Sequence, residues 1–445
     1  MNINFRKIFP NATQAGFIVM FTRLLSNRNT RAAFASCSVV VFYLFQLNYS
    51  WAGLQASGIR GSSKYIDQES VLNSANCFKE IGIEVYKLDA PNGCGGFVYS
   101  VELLRILNFF HLSTLSSEFL GAAFMWLTVA ALCSLFFLIK NLGRLDIVVA
   151  AFAFVSPGVW LLLERGNYDE LVFILVLISS HFLASRYQEL GIVLLAITVL
   201  IKFYTLPVFL ICILFLKRKK SRILFGWIAF PIIIYIVFLI KQVEIFPSTW
   251  NVSFGLDSLG LYLNLFLKER ILWDLQLPGI AITLTGVCSL VFWMFCLTKI
   301  KNSHKSKLNF QEVDSRSYII YTNMTIIFLS CFFAGMNYDY RLVYLAASIA
   351  LTPRILAISR LRNVITISGC VALGFSAYAF GQTGIPALIA QVVGDFFMYI
   401  LVSAQLICLN ARFSATYSSH FFRFLSYFAQ HKPSSDIHHK SKSLH

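Results

Sequence analysis

Apolar runs separated by short polar breaks organise this chain. Runs of roughly the length that crosses a bilayer as a helix, about 17–25 residues, or somewhat shorter, fall at 34–51, 118–139, 146–163, 170–185, 190–201, 204–216, 223–240, 277–298, 317–335, 341–358, 363–381 and 386–408. The pattern predicts an all-α polytopic membrane protein with a bundle of about 12 transmembrane helices. Two runs, 190–201 and 204–216, are too short to cross a ~30 Å hydrocarbon core as straight helices. They are expected to form a pair that dips in and meets at Lys202, Phe203, Tyr204 and Pro207, with irregular backbone lining a cavity rather than facing lipid. The alternative is one broken helix over 190–216, which would invert everything downstream.

Charge sets the orientation. The block Lys217–Arg222 carries five cations in six residues and marks a cytoplasmic end. Counting outward from it leaves both termini cytoplasmic and most of the 37 Lys and Arg inward. Residues 1–33 read as a basic cytoplasmic arm, and the first span as uncleaved, because so long a basic arm is atypical of a signal peptide. Residues 34–408 form the transmembrane domain. Its largest outward segment, 52–117, has Asp67 as a helix N-cap, a helix over Gln68–Ile81 ending near Gly82, and a turn over Pro91–Gly96. An amphipathic helix over Tyr99–Leu112, with Val101, Leu104, Leu107 and Phe110 or His111 at helical spacing, is expected to lie in the interface. A second outward loop covers 241–276. The tail, 409–445, reads as interfacial and then disordered.

Composition agrees. The chain is 57% hydrophobic and 13% charged, with a mean hydropathy of +0.69, far from the ~25% charged residues of soluble domains. A formal charge of +16 does not point to nucleic acid, because the cations are spread over short loops instead of one soluble face. Of ten cysteines, only Cys77 and Cys94 fall in outward loops. They are expected to form a disulfide if that side is oxidising, and otherwise to be free thiols. There is no CxxC and no Cys/His ligand spacing, so no metal site is indicated. Asp67, Asp169 and Glu170 could hold magnesium or manganese, but isolated carboxylates do not indicate it.

Ionisable groups at membrane depth are functional candidates because burying them is costly. Arg165, Lys202 and Arg341 come from three separate outward span ends, and together could bind a phosphate; singly, each could be a snorkelling side chain. Asp67 reads either as a general base near the membrane surface or as an ordinary cap, with Glu69 and Asp89 as competitors. Tyr99, Asn167, Asp169, Glu170, Tyr338 and Tyr340 are the candidate substrate contacts. Asp395, in the last span, is either functional or a structural partner.

These residues carry a resemblance. The order of features is similar to the GT-C membrane glycosyltransferases, in particular the polyprenol-phosphate-dependent mannosyltransferase-like group, glycosyltransferase family 87. The matches are Asp67, the GIEVY of Gly82–Tyr86, the GFVYS of Gly96–Ser100, and the step Gly166, Asn167, Tyr168, Asp169. Gly191, Leu194, Lys202 and Pro207 follow, then the basic block. Departures are Tyr99-Ser100-Val101 where the family commonly has Tyr-Pro-Pro, and Lys202-Phe203 where it has Lys-Pro. The resemblance covers most of the first 222 residues.

It implies a GT-C-like bundle with a polyprenyl-phosphate sugar as donor, a hexose such as mannose. It also implies a glycolipid or polysaccharide acceptor, Asp67 as general base, an inverting reaction on the extracytoplasmic face of a bacterial inner membrane, and no required cofactor. Two other readings stand beside it: a transporter or flippase of lipid-linked glycans, and an O-antigen-type polymerase. The polymerase usually carries its large loop in the second half of the chain.

Overall fold

A computed structural model describes residues 27–48, 65–86, 94, 99–138, 143–240, 253–256, 279–303, 314–333, 337–338, 341–356, 359–375 and 385–430. The described chain is helical. Its elements are α1 (Arg28–Asn48), α2 (Ile66–Ile81), α3 (Val101–Phe109), α4 (Ser117–Leu138), α5 (Arg144–Phe154), α6 (Pro157–Arg165), α7 (Asp169–Leu183), α8 (Gln188–Ile201), α9 (Leu206–Ile211) and α10 (Lys219–Ile240). There follow α11 (Gly279–Ser303), α12 (Ser315–Phe333), α13 (Leu342–Ile355), α14 (Ser359–Phe375) and α15 (Ile385–Gln430). Two-residue strands β1 (Ser253–Phe254) and β2 (Asn337–Tyr338) pair antiparallel, Ser253 opposite Tyr338.

Among the described residues four helical stretches are long and apolar enough to cross a membrane: Thr114–Leu138, Leu145–Arg165, Lys219–Phe238 and Ile389–Ala411. Six shorter apolar helices accompany them. The core centres on α12 and α13. Every residue from Leu342 to Leu351 is buried, whereas α10 turns Trp227 and Phe230 outward at 78% and 70% exposure. Apolar surface on that scale fits a lipid solvent and not water.

Several boundaries differ from those expected. α1 begins at Arg28, inside the predicted arm, and the run 146–163 is split at Ser156, where Pro157 takes the first position of α6 and starts a new helix. In the outward loop, Tyr65 and not Asp67 occupies the cap position of α2, with no side-chain cap bond, so Asp67 lies within the first turn. Ser100 caps α3 by accepting from the Leu103 amide, which confines that helix to Val101–Phe109. α15 continues through the last span into the predicted tail as far as Gln430; residues 431–445 lie outside the described residues. Cys77 and Cys94 are joined in a disulfide.

The two short runs form a hairpin. α8 ends at Lys202, whose backbone is extended, and a 3₁₀ turn, Phe203–Thr205, leads into α9 and a second 3₁₀ turn, Cys212–Phe215. Gln188, at the start of α8, closes the base: its amide nitrogen donates to the carbonyls of Leu183 and Phe215, and its amide oxygen accepts from the Lys217 amide. Ser221 donates to Glu189 beside it. The chain therefore enters and leaves at one end, with Lys202 at the tip. Cysteines introduced as Arg186→Cys and Lys219→Cys are accordingly expected to react with an impermeant thiol reagent from the same side of sealed vesicles. Labelling from opposite sides would mean a continuous crossing helix instead.

Candidate functional site

The site grows from the turn between α6 and α7. Gly166 ends α6 in the left-handed conformation, φ +61°, which glycine adopts without a Cβ penalty. Asn167 follows, its amide oxygen accepting the Asp169 backbone N–H, and α7 begins at Asp169. The Asp169 carboxylate in that first turn suits the positive end of the helix dipole.

Onto this turn the segment between α1 and α3 docks through Tyr65. Its backbone N–H donates to the Glu164 carbonyl, and its ring covers Gly121 of α4 and Gly166. A Cβ on Gly166 would stand 2.8 Å from the Tyr65 Cβ. The seating carries Asp67, two residues on, to the end of α6. One Asp67 oxygen accepts from Arg165 Nε and Nη2 at 2.9 and 2.5 Å, and the other accepts from Asn167 Nδ2 at 2.7 Å. Gln68 donates to the Tyr168 hydroxyl, a second tie between loop and turn.

Lys202, at the hairpin tip, reaches the same turn. Its ammonium lies 3.5 Å from Asp169 Oδ1 and 3.4 Å from Asn167 Oδ1, and stands 3.8 Å above the Tyr99 ring, a cation–π contact. Tyr99 is held by the Tyr86 hydroxyl, which donates to its carbonyl, so the GIEVY and GFVYS stretches meet. Burial, and then the Asp169 and Asp67 carboxylates, hold the Tyr99 phenol well above its ordinary value. Arg341, from the start of α13, completes the cluster with Nε 3.6 Å from Asp169 Oδ2 and its guanidinium over the Tyr204 ring. Tyr204 donates to Asp169 Oδ1, and Tyr344 donates to the Asp169 carbonyl.

The structure thus brings together Asp67, Arg165, Asn167, Asp169, Lys202, Arg341 and Tyr99. Asp169 is fully buried and Lys202 nearly so, while the Asp67, Arg165 and Arg341 side chains are 15%, 18% and 16% exposed. These three form the open edge.

Other expected contacts fall elsewhere. Glu170 is fully buried and faces Thr128 of α4, because the next residue on a helix points about 100° away. Asn167 is occupied by the protein's own groups, bridging the two carboxylate systems. Tyr338 lies in β2, its side chain outside the described residues, as are Tyr340 and Asp89. Asp395 accepts from Gln391 one turn earlier on its own helix. Among the described residues no three His, Cys, Asp or Glu side chains are grouped to hold a metal ion. A cavity of about 450 Å³ lined by Leu177, Ile178, His181 and Phe182 lies toward the other end of α7, away from the cluster.

Sequence reading missed Tyr65, Gln68 and Tyr344, and met Tyr168 only as part of the Gly166–Asp169 step. Tyr344 alone left a signal, one turn after Arg341 and hence on the same helix face. Comparison with protein-family models, curated proteins and solved structures returns no match.

Asp169→Asn leaves the buried Lys202 and the partly buried Arg341 without their shared counter-ion. We expect it to cost about 3–5 kcal/mol, read as a lower unfolding temperature in detergent, with part restored when Lys202→Met is added. No loss on Asp169→Asn would mean that Asp169 is not what holds these helices together.

Proposed function

We propose that this chain is an integral membrane glycosyltransferase with a GT-C-like bundle of about 12 spans. In this reading it transfers a hexose from a polyprenyl-phosphate-linked donor to a glycolipid or polysaccharide acceptor on the extracytoplasmic face of a bacterial inner membrane, with both termini cytoplasmic. One observation carries the reading: a loop carboxylate, Asp67, is linked through Asn167 to a cluster of cations drawn from three distant helix ends.

The chemistry follows from that arrangement. A carboxylate offers about four lone-pair positions; Asp67 gives two on one oxygen to Arg165 and one on the other to Asn167. The remaining position can accept the proton of an acceptor hydroxyl. The hydroxyl oxygen then attacks the anomeric carbon from the face opposite the phosphate, the bond from that carbon to the phosphate oxygen breaks, and configuration inverts. Polyprenyl phosphate leaves with the bonding electrons. Lys202 and Arg341 stabilise the charge gained by the leaving phosphate, while Arg165, which the sequence also offered for the phosphate, holds Asp67 in place.

Electrostatics support the donor class. Three cations against Asp67 and Asp169 leave an excess of one positive charge, which matches the single negative charge of a phosphodiester. Helix lengths support a lipid-borne donor. α7, α8 and α13 have 15, 14 and 14 residues and span only about 21–23 Å at ~1.5 Å per residue, against a ~30 Å hydrocarbon core. Their outward ends would lie below the membrane surface, within reach of a lipid phosphate. In this reading no cofactor takes part.

Purified protein given a polyprenyl-phosphate hexose should form a new glycosidic bond, and Asp67→Asn should reduce transfer by about 10²–10⁴-fold without loss of fold. Movement of labelled lipid across vesicles with no new bond would favour a transporter, and retained turnover would remove Asp67 as base. Lys202→Ala and Arg341→Ala are expected to weaken donor binding more than they lower folded yield; unchanged donor affinity in both would argue against a phosphate site.

A further inference from the structure

The proposed reaction makes no use of Glu170. Its side chain is fully buried, and neither carboxyl oxygen has a hydrogen-bond partner. The groups it faces come from three other elements. Thr128 on α4 presents a hydroxyl that is likewise buried and is, among the described residues, the one neutral hydrogen-bonding group beside it. Tyr43 on α1 faces it, but the Tyr43 hydroxyl already donates to the Phe154 carbonyl. Tyr65, at the head of α2, lies within electrostatic reach of it. On its own helix the neighbour is Asp169, a like charge. Among the described residues no Lys, Arg or His pairs with it, and no oxygen cluster beside it would hold a metal ion.

A carboxylate removed from water with neither counter-ion nor donor is one of the costliest states a buried side chain can take, and such a group takes up a proton instead. We propose that Glu170 is an internal proton-binding site, in which the carboxyl carries a proton in the folded protein at neutral pH and donates it to the Thr128 hydroxyl oxygen. One bond then satisfies both buried groups.

The proton matters to the neighbouring cluster. It leaves Asp169 as the single charge in the first turn of α7, matched by Lys202 and Arg341. Ionising Glu170 would set a second negative charge against Asp169 and within reach of Tyr65, whose seating carries Asp67.

The test is infrared difference spectroscopy on the full-length protein in nanodiscs, wild type against Glu170→Gln. A protonated-carboxyl C=O band, sensitive to deuterium exchange, is expected in the wild type at neutral pH and should be missing from the variant. In Thr128→Val the band should persist and move to higher frequency, because the acid has lost its acceptor; this second variant keeps the test open if Glu170→Gln folds poorly. Thermal unfolding supplies an independent readout. The unfolded chain releases this proton at neutral pH while the folded protein keeps it, so wild-type stability should fall as pH rises above the ordinary carboxylate range. Glu170→Gln should flatten that slope. Carboxylate bands that respond to replacing sodium with potassium, no difference band at all, or equal pH slopes in the two proteins would each overturn the proposal.

Discussion

Asp169 shares one buried carboxylate between Lys202 and Arg341, and the arrangement of the helix ends around it follows from that. The three residues belong to α7, to the α8–α9 hairpin that follows it, and to α13, which comes much later in the chain. In a medium that solvates charge poorly, each cation is tolerable only where that carboxylate lies. Tyr204 donates to one oxygen of that carboxylate and Tyr344 to the Asp169 backbone carbonyl. The ion cluster therefore acts as a registry device: a shift of any one helix by a residue would strand a charge.

The segment between α1 and α3 is set on this base by packing and not by charge alone. Gly121 and Gly166 leave room for the Tyr65 ring, and the Glu164 carbonyl fixes its backbone. Asp67 then meets Arg165 and Asn167 without having to recruit them. Tyr86, Tyr99 and Tyr168 form an aromatic and hydroxyl scaffold above the hairpin tip. Through Asn167 the two carboxylates are joined, one open to solvent and one sealed. That asymmetry suits a reacting base set beside a permanent structural counter-ion.

Much of this was legible in the sequence, for identifiable reasons. Apolar runs and basic blocks are imposed by the membrane itself, so each of the twelve runs meets helix in the described residues, though only four helical stretches are long and apolar enough to cross on their own. Lys202, Arg341 and Asp67 stood out because charge near apolar segments is rare. Direction was harder to read. Glu170 and Asp169 are neighbours in sequence, yet one faces Thr128 and the other the cations, and only tertiary packing decides which. Nor could pattern tell a hairpin from a broken helix at Lys202: that rests on Gln188 meeting Phe215 and Lys217, a contact across 27 residues for the carbonyl bond. The tyrosines of the scaffold were hidden among 19 in an aromatic-rich chain, where composition carries no positional signal.

The most direct test is a structure of the protein bound to a non-hydrolysable polyprenyl-phosphate hexose. The account predicts the phosphate within hydrogen-bonding reach of Lys202 and Arg341, with the Asp67 carboxylate on the side of the sugar opposite the phosphate. A ligand bound elsewhere, for instance with its phosphate at the far end of α7, or seated with Asp67 turned away from the anomeric carbon, would contradict it.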